Sequence, residues 1–314
     1  MSDPQRHDSA VAFCCDRNYF HLALFMVWKI AHYNPHRRFD FVISSRDDLE
    51  LPEWARALGV ILHRTGDLPE HAEIGRFFGS LAPLYRLTLV RELGQRYRRI
   101  LYLDCDMFVE GGDISRLLDV DIGTHAIGAV LDAPFFYTPN YRAKEFVIAG
   151  FPAHPYVNTG LQLIDTRAYA EQEVERRSFD ICKTHPKAVV FTDQSLTNLA
   201  LRGDFAFLAP CWNWQMNSRF PMMPWRYPVF LRHFIGRVKP DKELRGHLEA
   251  RFNEAYRHFC ETLLPEALPL IAPPCNPMPV AIGDLSQMFM KHVLGTGIMR
   301  EMLKRFSDPY KAET

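Results

Sequence analysis

The sequence predicts an α/β fold, a mostly parallel mixed sheet flanked by helices on both faces. Three observations carry the prediction. Short apolar runs alternate with longer helix-like segments, the pattern of strand–helix–strand units. Two polar clusters stand where such runs end, the place where open sheets of this kind bind ligands. The chain has 314 residues, 47% of them hydrophobic, with no internal repeat or low-complexity stretch, enough for one large core.

Residues 10–15 are apolar and meet Asp16, Arg17 and Asn18, after which residues 19–33 continue as an apolar-rich helix ending at Asn34-Pro35. Residues 39–43 read as a strand, 52–58 as a helix stopped by Gly59, and 60–63 as the next strand. Residues 84–97 are helical, and 99–103 (RILYL) form a buried strand running straight into Asp104-Cys105-Asp106. Residues 123–130 and 161–164 are strands around a Pro/Tyr-rich stretch, 166–183 and 193–201 are helices, and 229–234 return as a strand. The expected organisation is a catalytic domain over residues 1–265, then a Pro-rich link and C-terminal helical tail over 266–314.

Composition excludes several classes. Lys plus Arg number 37 and Asp plus Glu 37, so there is no overall positive field to gather nucleic acid. Seven dispersed cysteines, without a CxxC pair or zinc-site spacing, suit reduced thiols in a cytosol. Residues 1–10 are polar and lack an apolar h-region, while the apolar stretch 21–31 contains Lys29 and is too short to span a bilayer. A cytoplasmic protein is the expectation.

Residues i and i+2 of an extended segment point the same way, so Asp104 and Asp106 can aim two carboxylates at one point beyond the strand. Two hard oxygen donors suit Mg²⁺ or Mn²⁺, with diphosphate oxygens completing the shell. Asp-x-Asp alone is a weak motif, but a buried strand has little structural reason to end in two carboxylates. Downstream, His233 ends a strand and Lys239 follows six residues later. That spacing lets the imidazole complete the shell, favouring Mn²⁺, while Lys239 reaches the phosphates. The structural alternatives are a core histidine and a surface cation.

Taken together, these residues resemble glycosyltransferase family 8, the retaining group that includes glycogenin and bacterial lipopolysaccharide galactosyl- and glucosyltransferases. Five segments resemble its motifs in order: Cys15-Asp16-Arg17-Asn18-Tyr19, Tyr85-Arg86-Leu87-Thr88-Leu89, Asp104-Cys105-Asp106, Tyr156-Val157-Asn158-Thr159-Gly160-Leu161 and Thr192-Asp193-Gln194-Ser195. The resemblance implies a GT-A type nucleotide-sugar-binding domain, a UDP-sugar donor and a glycan or lipid-linked saccharide acceptor. It implies that Asp16 accepts from the uracil, Asn18 touches the nucleotide and Tyr19 stacks on the base. It puts Arg86 on donor sugar and diphosphate, Asn158 and Asp193 on the sugar, and Gln194 next to the anomeric carbon. Asp104, Asp106 and His233 would hold the metal, and the stretch with Gly236 and Lys239 would close the site. Where many members follow the Lys-Pro with tryptophan, this chain has Asp241. Each segment also has a plain structural reading: Asp16, Asn18 and Asp193 as helix caps, Asn158-Thr159-Gly160 as a turn, and Arg86 as a solvated helix residue. These account for the pieces separately, not for the ordered set.

The expected reaction is hexose transfer, glucose or galactose, serving lipopolysaccharide or another cell-surface glycan, with Gln194, Asp193 and Lys239 as catalytic residues. A metal-dependent nucleotide-sugar hydrolase and a non-catalytic sugar-nucleotide-binding protein are the rivals. A nicotinamide dehydrogenase fits poorly, because residues 13–20 contain no glycine. In the tail, Met299, Met302, Leu303 and Phe306 form one helical stripe, and residues 288–311 carry five basic residues (Lys291, Arg300, Lys304, Arg305, Lys311) against Glu301 and Asp308. Two readings stand: peripheral contact with an anionic membrane, or packing on the domain.

Overall fold

The computed structural model describes residues 7–69, 81–138, 140–217, 220, 223–236, 238–244, 248–274 and 282–314. Of the residues read from the sequence, 275–279 of the Pro-rich link, Arg237, and the side chains of Met288 and Lys291 lie outside the described ones. In chain order the elements begin β1 (Ser9–Cys14), α1 (Phe20–Tyr33), β2 (Asp40–Ser45), α2 (Glu53–Ala57), β3 (Ile61–Arg64), α3 (Ala82–Leu93), β4 (Arg99–Leu103), β5 (Met107–Val109), α4 (Ile114–Leu118) and β6 (Ile127–Leu131). They continue with α5 (Lys144–Ala149), β7 (Val157–Asp165), α6 (Thr166–Glu171), α7 (Val174–Thr184), α8 (Thr192–Leu201), β8 (Ala206–Phe207), β9 (Leu231–His233), α9 (Ala250–Leu263) and α10 (Ile282–Lys304).

Seven strands form one sheet in the order β3-β2-β1-β4-β7-β6-β8, and β5 pairs with β9 in a second, two-stranded sheet. β7 runs antiparallel to both its neighbours, β4 and β6, and the remaining pairings of the large sheet are parallel. Alternate residues feed different cores: Val11, Phe13, Leu101 and Leu103 enter one, Ala10, Ala12, Ile100 and Tyr102 the other. Burial on both faces is what makes these strands read as unbroken apolar runs.

The order reverses between β1 and β4, because the chain first builds outward to β3 and then returns to the other side of β1. The loop after β1 and the carboxylates after β4 therefore share the crevice at this switch point. Since β7 is antiparallel, its start lies beside the end of β4: Leu103 pairs with Leu161, and Asp104 N–H donates to Gly160 O at 2.8 Å. Asn158, Thr159 and Gly160 are thus strand residues, not a turn, and the strand begins four residues earlier than the sequence suggests.

Two other differences have local causes. The helix expected over 166–183 is broken at Glu173, whose φ of 52° is left-handed, giving α6, capped by Asp165 Oδ1 on Ala168 N–H, and α7. The last strand is short and pairs with β5, placing His233 opposite Met107 and so next to Asp106.

The C-terminal segment is part of this architecture. Met299, Leu303 and Phe306 are buried in the same cluster as Phe13, Leu103 and Trp212. Trp212 Nε1 donates to Pro309 O at 2.7 Å, and Phe207 and Glu313 exchange backbone hydrogen bonds at the sheet edge. Of the two readings of the Met/Leu/Phe stripe, packing on the domain is the one these side chains follow. Truncating a buried side chain leaves a cavity as well as losing transfer energy, so Met299→Ala is expected to cost about 2–5 kcal/mol in urea unfolding. A loss below about 0.5 kcal/mol, the level of surface substitutions, would contradict the packing.

Candidate active site

Asp104, Asp106 and His233 each offer a ligand atom, and these atoms lie within 4.8 Å of one another. His233 Nε2 is 3.4 Å from Asp106 Oδ1 and 3.7 Å from Asp104 Oδ2. Asp106 Oδ2 accepts from Lys239 Nζ at 2.6 Å, whereas Asp106 Oδ1 is buried without a hydrogen-bond partner. A buried carboxylate oxygen left unpaired is costly. Facing a second carboxylate and an imidazole, it has the donor set of a divalent cation. Burial raises the Asp106 pKa, but Lys239 and His233 outweigh it and hold the carboxyl well below the usual range, ready as a ligand.

Arg86, the fifth residue of α3, is buried, with its donors committed: Nη2 to Asp104 Oδ1 at 2.7 Å, Nη1 to Thr159 O at 2.8 Å, and Nε to Pro83 O at 3.0 Å. Nη1 also lies 3.2 Å from Asp193 Oδ2. Burial opposes its charge, yet Asp104 and Asp193 together raise its pKa above the ordinary value. Arg86 is therefore no solvated helix residue; it braces Asp104 against Asp193. Burial pushes the Asp193 carboxyl up, against the pull of Arg86, and Thr159 Oγ1 donates to its Oδ2 at 2.8 Å.

The side-chain amides of Asn158 and Gln194 are oriented by main-chain donors. Gly160 N–H donates to Asn158 Oδ1 at 3.1 Å, which turns Asn158 Nδ2 toward Gln194 Oε1, also at 3.1 Å. Thr159 N–H reaches the same oxygen at 3.4 Å. Because backbone N–H groups only donate, the Gln194 atom facing Asn158 and Thr159 is its oxygen, and Nε2 lies on the other side of the amide.

Eight residues expected from the sequence (Arg86, Asp104, Asp106, Asn158, Asp193, Gln194, His233, Lys239) thus join one network. Asp16, Asn18, Tyr19 and Gly236 stand outside it. Asp16 Oδ1 accepts from the N–H groups of Asn18 and Tyr19 at 3.0 and 3.2 Å, so Asp16 folds its own loop and does not cap α1 with its side chain. Tyr19 is about half exposed, within electrostatic reach of Asp106 and Asp241, and burial raises its pKa to about 12. Gly236 turns the chain after β9 with φ 87°. Asp241 is buried, and its carbonyl accepts from Ala272 N–H at 2.7 Å, so α9 and its following segment anchor the closing stretch.

Sequence reasoning missed four participants. Tyr102 O–H donates to Asp104 Oδ1 at 2.6 Å, and its ring carries the Arg86 guanidinium at 4.4 Å; its place two residues before Asp104 on one strand face was the available signal. Asp132 directly follows β6, as Asp104 follows β4, and burial lifts its carboxyl to about 6 against hydrogen bonds from Asn158 and Ala133. Thr159 was read only as a position of the Asn158-Thr159-Gly160 motif or turn, with no role of its own. Asn213 lies in irregular chain and gave no signal.

The Glycosyl transferase family 8 profile matches residues 10–243, about three quarters of the sequence. The chain belongs to this family. General stress protein A of Bacillus subtilis is 29% identical over 184 residues, 57% of this chain and 57% of that protein. The lipopolysaccharide 1,2-glucosyltransferase of Escherichia coli is 28% identical over 130 residues, 41% of this chain and 37% of that one. The matches span about half the length of these relatives or less. Among solved structures, the galactosyltransferase LgtC with donor and acceptor sugar analogues superposes with a TM-score of 0.63 at 20% identity, covering 79% of this chain and 95% of LgtC. The fold is thus GT-A.

Gly160 makes the cluster possible: a Cβ there would stand 2.4 Å from His233 Cε1 and 2.9 Å from Asp104 Oδ2. Gly160→Ala is expected to weaken Mn²⁺ binding on the order of tenfold or more with circular dichroism unchanged. Wild-type affinity in that variant would remove the cluster as a metal site.

Proposed function

We propose that this member of the family is a retaining, divalent-metal-dependent hexosyltransferase that moves glucose or galactose from a UDP-sugar to a glycan or lipid-linked saccharide. The observation that carries this reading is the Asp104–Asp106–His233 cluster, joined through shared hydrogen bonds to Asp193, Asn158 and Gln194. The imidazole beside two carboxylates favours Mn²⁺ over Mg²⁺. Likeness to a lipopolysaccharide 1,2-glucosyltransferase supports a role in cell-surface glycan synthesis, and the dispersed cysteines suit the cytoplasmic side of a membrane.

Bound between the three ligands and the diphosphate, the metal would stabilise negative charge on the leaving group. Lys239 is the residue to exchange Asp106 for a phosphate oxygen, adding a second cation where charge develops. Asp193, fixed by Arg86 and Thr159, accepts from sugar hydroxyls. Asp16, Asn18 and Tyr19 take the uridine, and Gly236 lets the closing stretch approach the phosphates. Gln194 stands on the sugar side with its Oε1 already accepting from Asn158 Nδ2 and Thr159 N–H, which leaves that oxygen poorly suited to act as a nucleophile. That orientation favours front-face attack, in which the acceptor hydroxyl forms the new anomeric bond as the anomeric carbon–phosphate oxygen bond breaks, its proton passing to the departing phosphate.

A panel of labelled nucleotide sugars, each with and without saccharide acceptors, tests the reading: transferred label identifies a transferase, release to water a hydrolase, and neither a binding protein. Asp106→Asn should abolish transfer while the fold persists, because an amide supplies no neutralising charge. Full activity in chelator would sink the metal assignment.

A lipid-linked acceptor would make membrane docking useful. Among the described residues, no helix is long and apolar enough to cross a membrane. With Met299, Leu303 and Phe306 buried, the face proposed for peripheral contact is Leu285, Phe289 and Val293 of α10, one stripe at i, i+4 and i+8, each about half exposed or more. Phe289→Asp should weaken co-sedimentation with anionic phospholipid vesicles and spare transfer to a soluble acceptor. Equal vesicle binding by both proteins would refute this contact.

A further inference from the structure

We infer that Asn213 is a positioning residue that fixes the tautomer of His233 and couples the metal ligands to the sugar-side amides. The inference rests on the metal reading above and adds a residue to it. Asn213 is 1% exposed, and the chain beside it is clamped to β9: Trp214 N–H donates to Leu231 O and His233 N–H to Trp214 O, both at 2.9 Å. Its side chain touches two partners. Nδ2 donates to Asn158 Oδ1 at 2.9 Å, and Oδ1 faces His233 Nδ1 at 3.1 Å.

The direction of these bonds follows from one group that cannot reverse. Gly160 N–H donates to Asn158 Oδ1, so that atom is an oxygen. An Asn213 amide turned the other way would set two carbonyl oxygens against each other at 2.9 Å, a repulsive contact. Asn213 must therefore present Oδ1 to the imidazole, and Nδ1 of His233 must carry the proton. With Nδ1 committed as a donor, Nε2, which faces Asp104 and Asp106, is the nitrogen left to ligate a metal. The same Asn158 holds Gln194 Oε1 through its Nδ2, so a single amide links the metal side of the site to the sugar side. Partners of this kind orient a ligating histidine and raise its affinity for metal.

Nitrogen-15 NMR of histidine-labelled, metal-free, full-length protein at alkaline pH reads the tautomer directly. The expected His233 signature is a proton on Nδ1; an unprotonated Nδ1 would overturn the assignment. Asn213→Leu removes both bonds at similar volume and is expected to mix the tautomers and raise the Kd for Mn²⁺ by about 10- to 100-fold. Asn213→Asp keeps an acceptor for Nδ1–H but loses the donor to Asn158. It should restore the tautomer and most of the Mn²⁺ affinity while kcat with the donor sugar stays depressed. A purely structural asparagine would leave tautomer and affinity unchanged in the folded Leu variant, which would overturn the proposal. Failure of the wild-type protein to bind Mn²⁺ would instead overturn the metal reading, and the tautomer would still decide the hydrogen-bond assignment.

Discussion

The hydrogen bond from Asp104 N–H to Gly160 O closes the β4–β7 ladder at the point where the candidate site begins. It fixes the end of a strand that carries carboxylates against the start of a strand that carries amides, which is possible only because β7 runs antiparallel. The neighbouring side chains inherit their positions from it. Asp104 meets Arg86 and Tyr102, Gly160 leaves room for the His233 ring, and Asn158 turns toward Gln194 and Asn213. The second constraint is the β5–β9 pair, which delivers His233 from far along the chain to the residue after Asp106.

The charges in this crevice do not balance among themselves. The carboxylates of Asp104, Asp106 and Asp193 outnumber the cations Arg86 and Lys239, and Asp132 adds a further buried carboxyl beside Asn158. Groups of this kind are expensive unless paired. A divalent cation would offset that excess, and Lys239 could then leave Asp106 without stranding it. Arg86 stands between two carboxylates and braces Asp104 against Asp193.

Much of this was legible in the sequence. Apolar runs ending in Asp16 and in Asp104-Cys105-Asp106 located the two strand ends that share the switch-point crevice, because a strand buried on both faces leaves an unmistakable one-dimensional pattern. His233 and Lys239 were legible from their spacing. What stayed hidden depends on pairing between distant segments. The first residues of β7 read as a turn because Asn-Thr-Gly favours turns when nothing pairs with it, and β4 and β6 supply that partner. The break at Glu173 rests on a left-handed residue that propensity disfavours. Asn213 has no local pattern at all; its role exists only where β9 lies beside the preceding irregular chain. The tail misled in the opposite sense, since its amphipathic stripe was visible but sequence alone does not say whether protein or lipid covers it.

Electron spin-echo spectroscopy of the protein loaded with Mn²⁺ and UDP tests the central claim most directly, because it reports which nuclei touch the metal. The account requires nitrogen-14 coupling from one directly bound imidazole, lost in His233→Leu, together with phosphorus-31 coupling from the diphosphate. Bound Mn²⁺ with phosphorus coupling alone, unchanged by that substitution, would contradict the Asp104–Asp106–His233 centre.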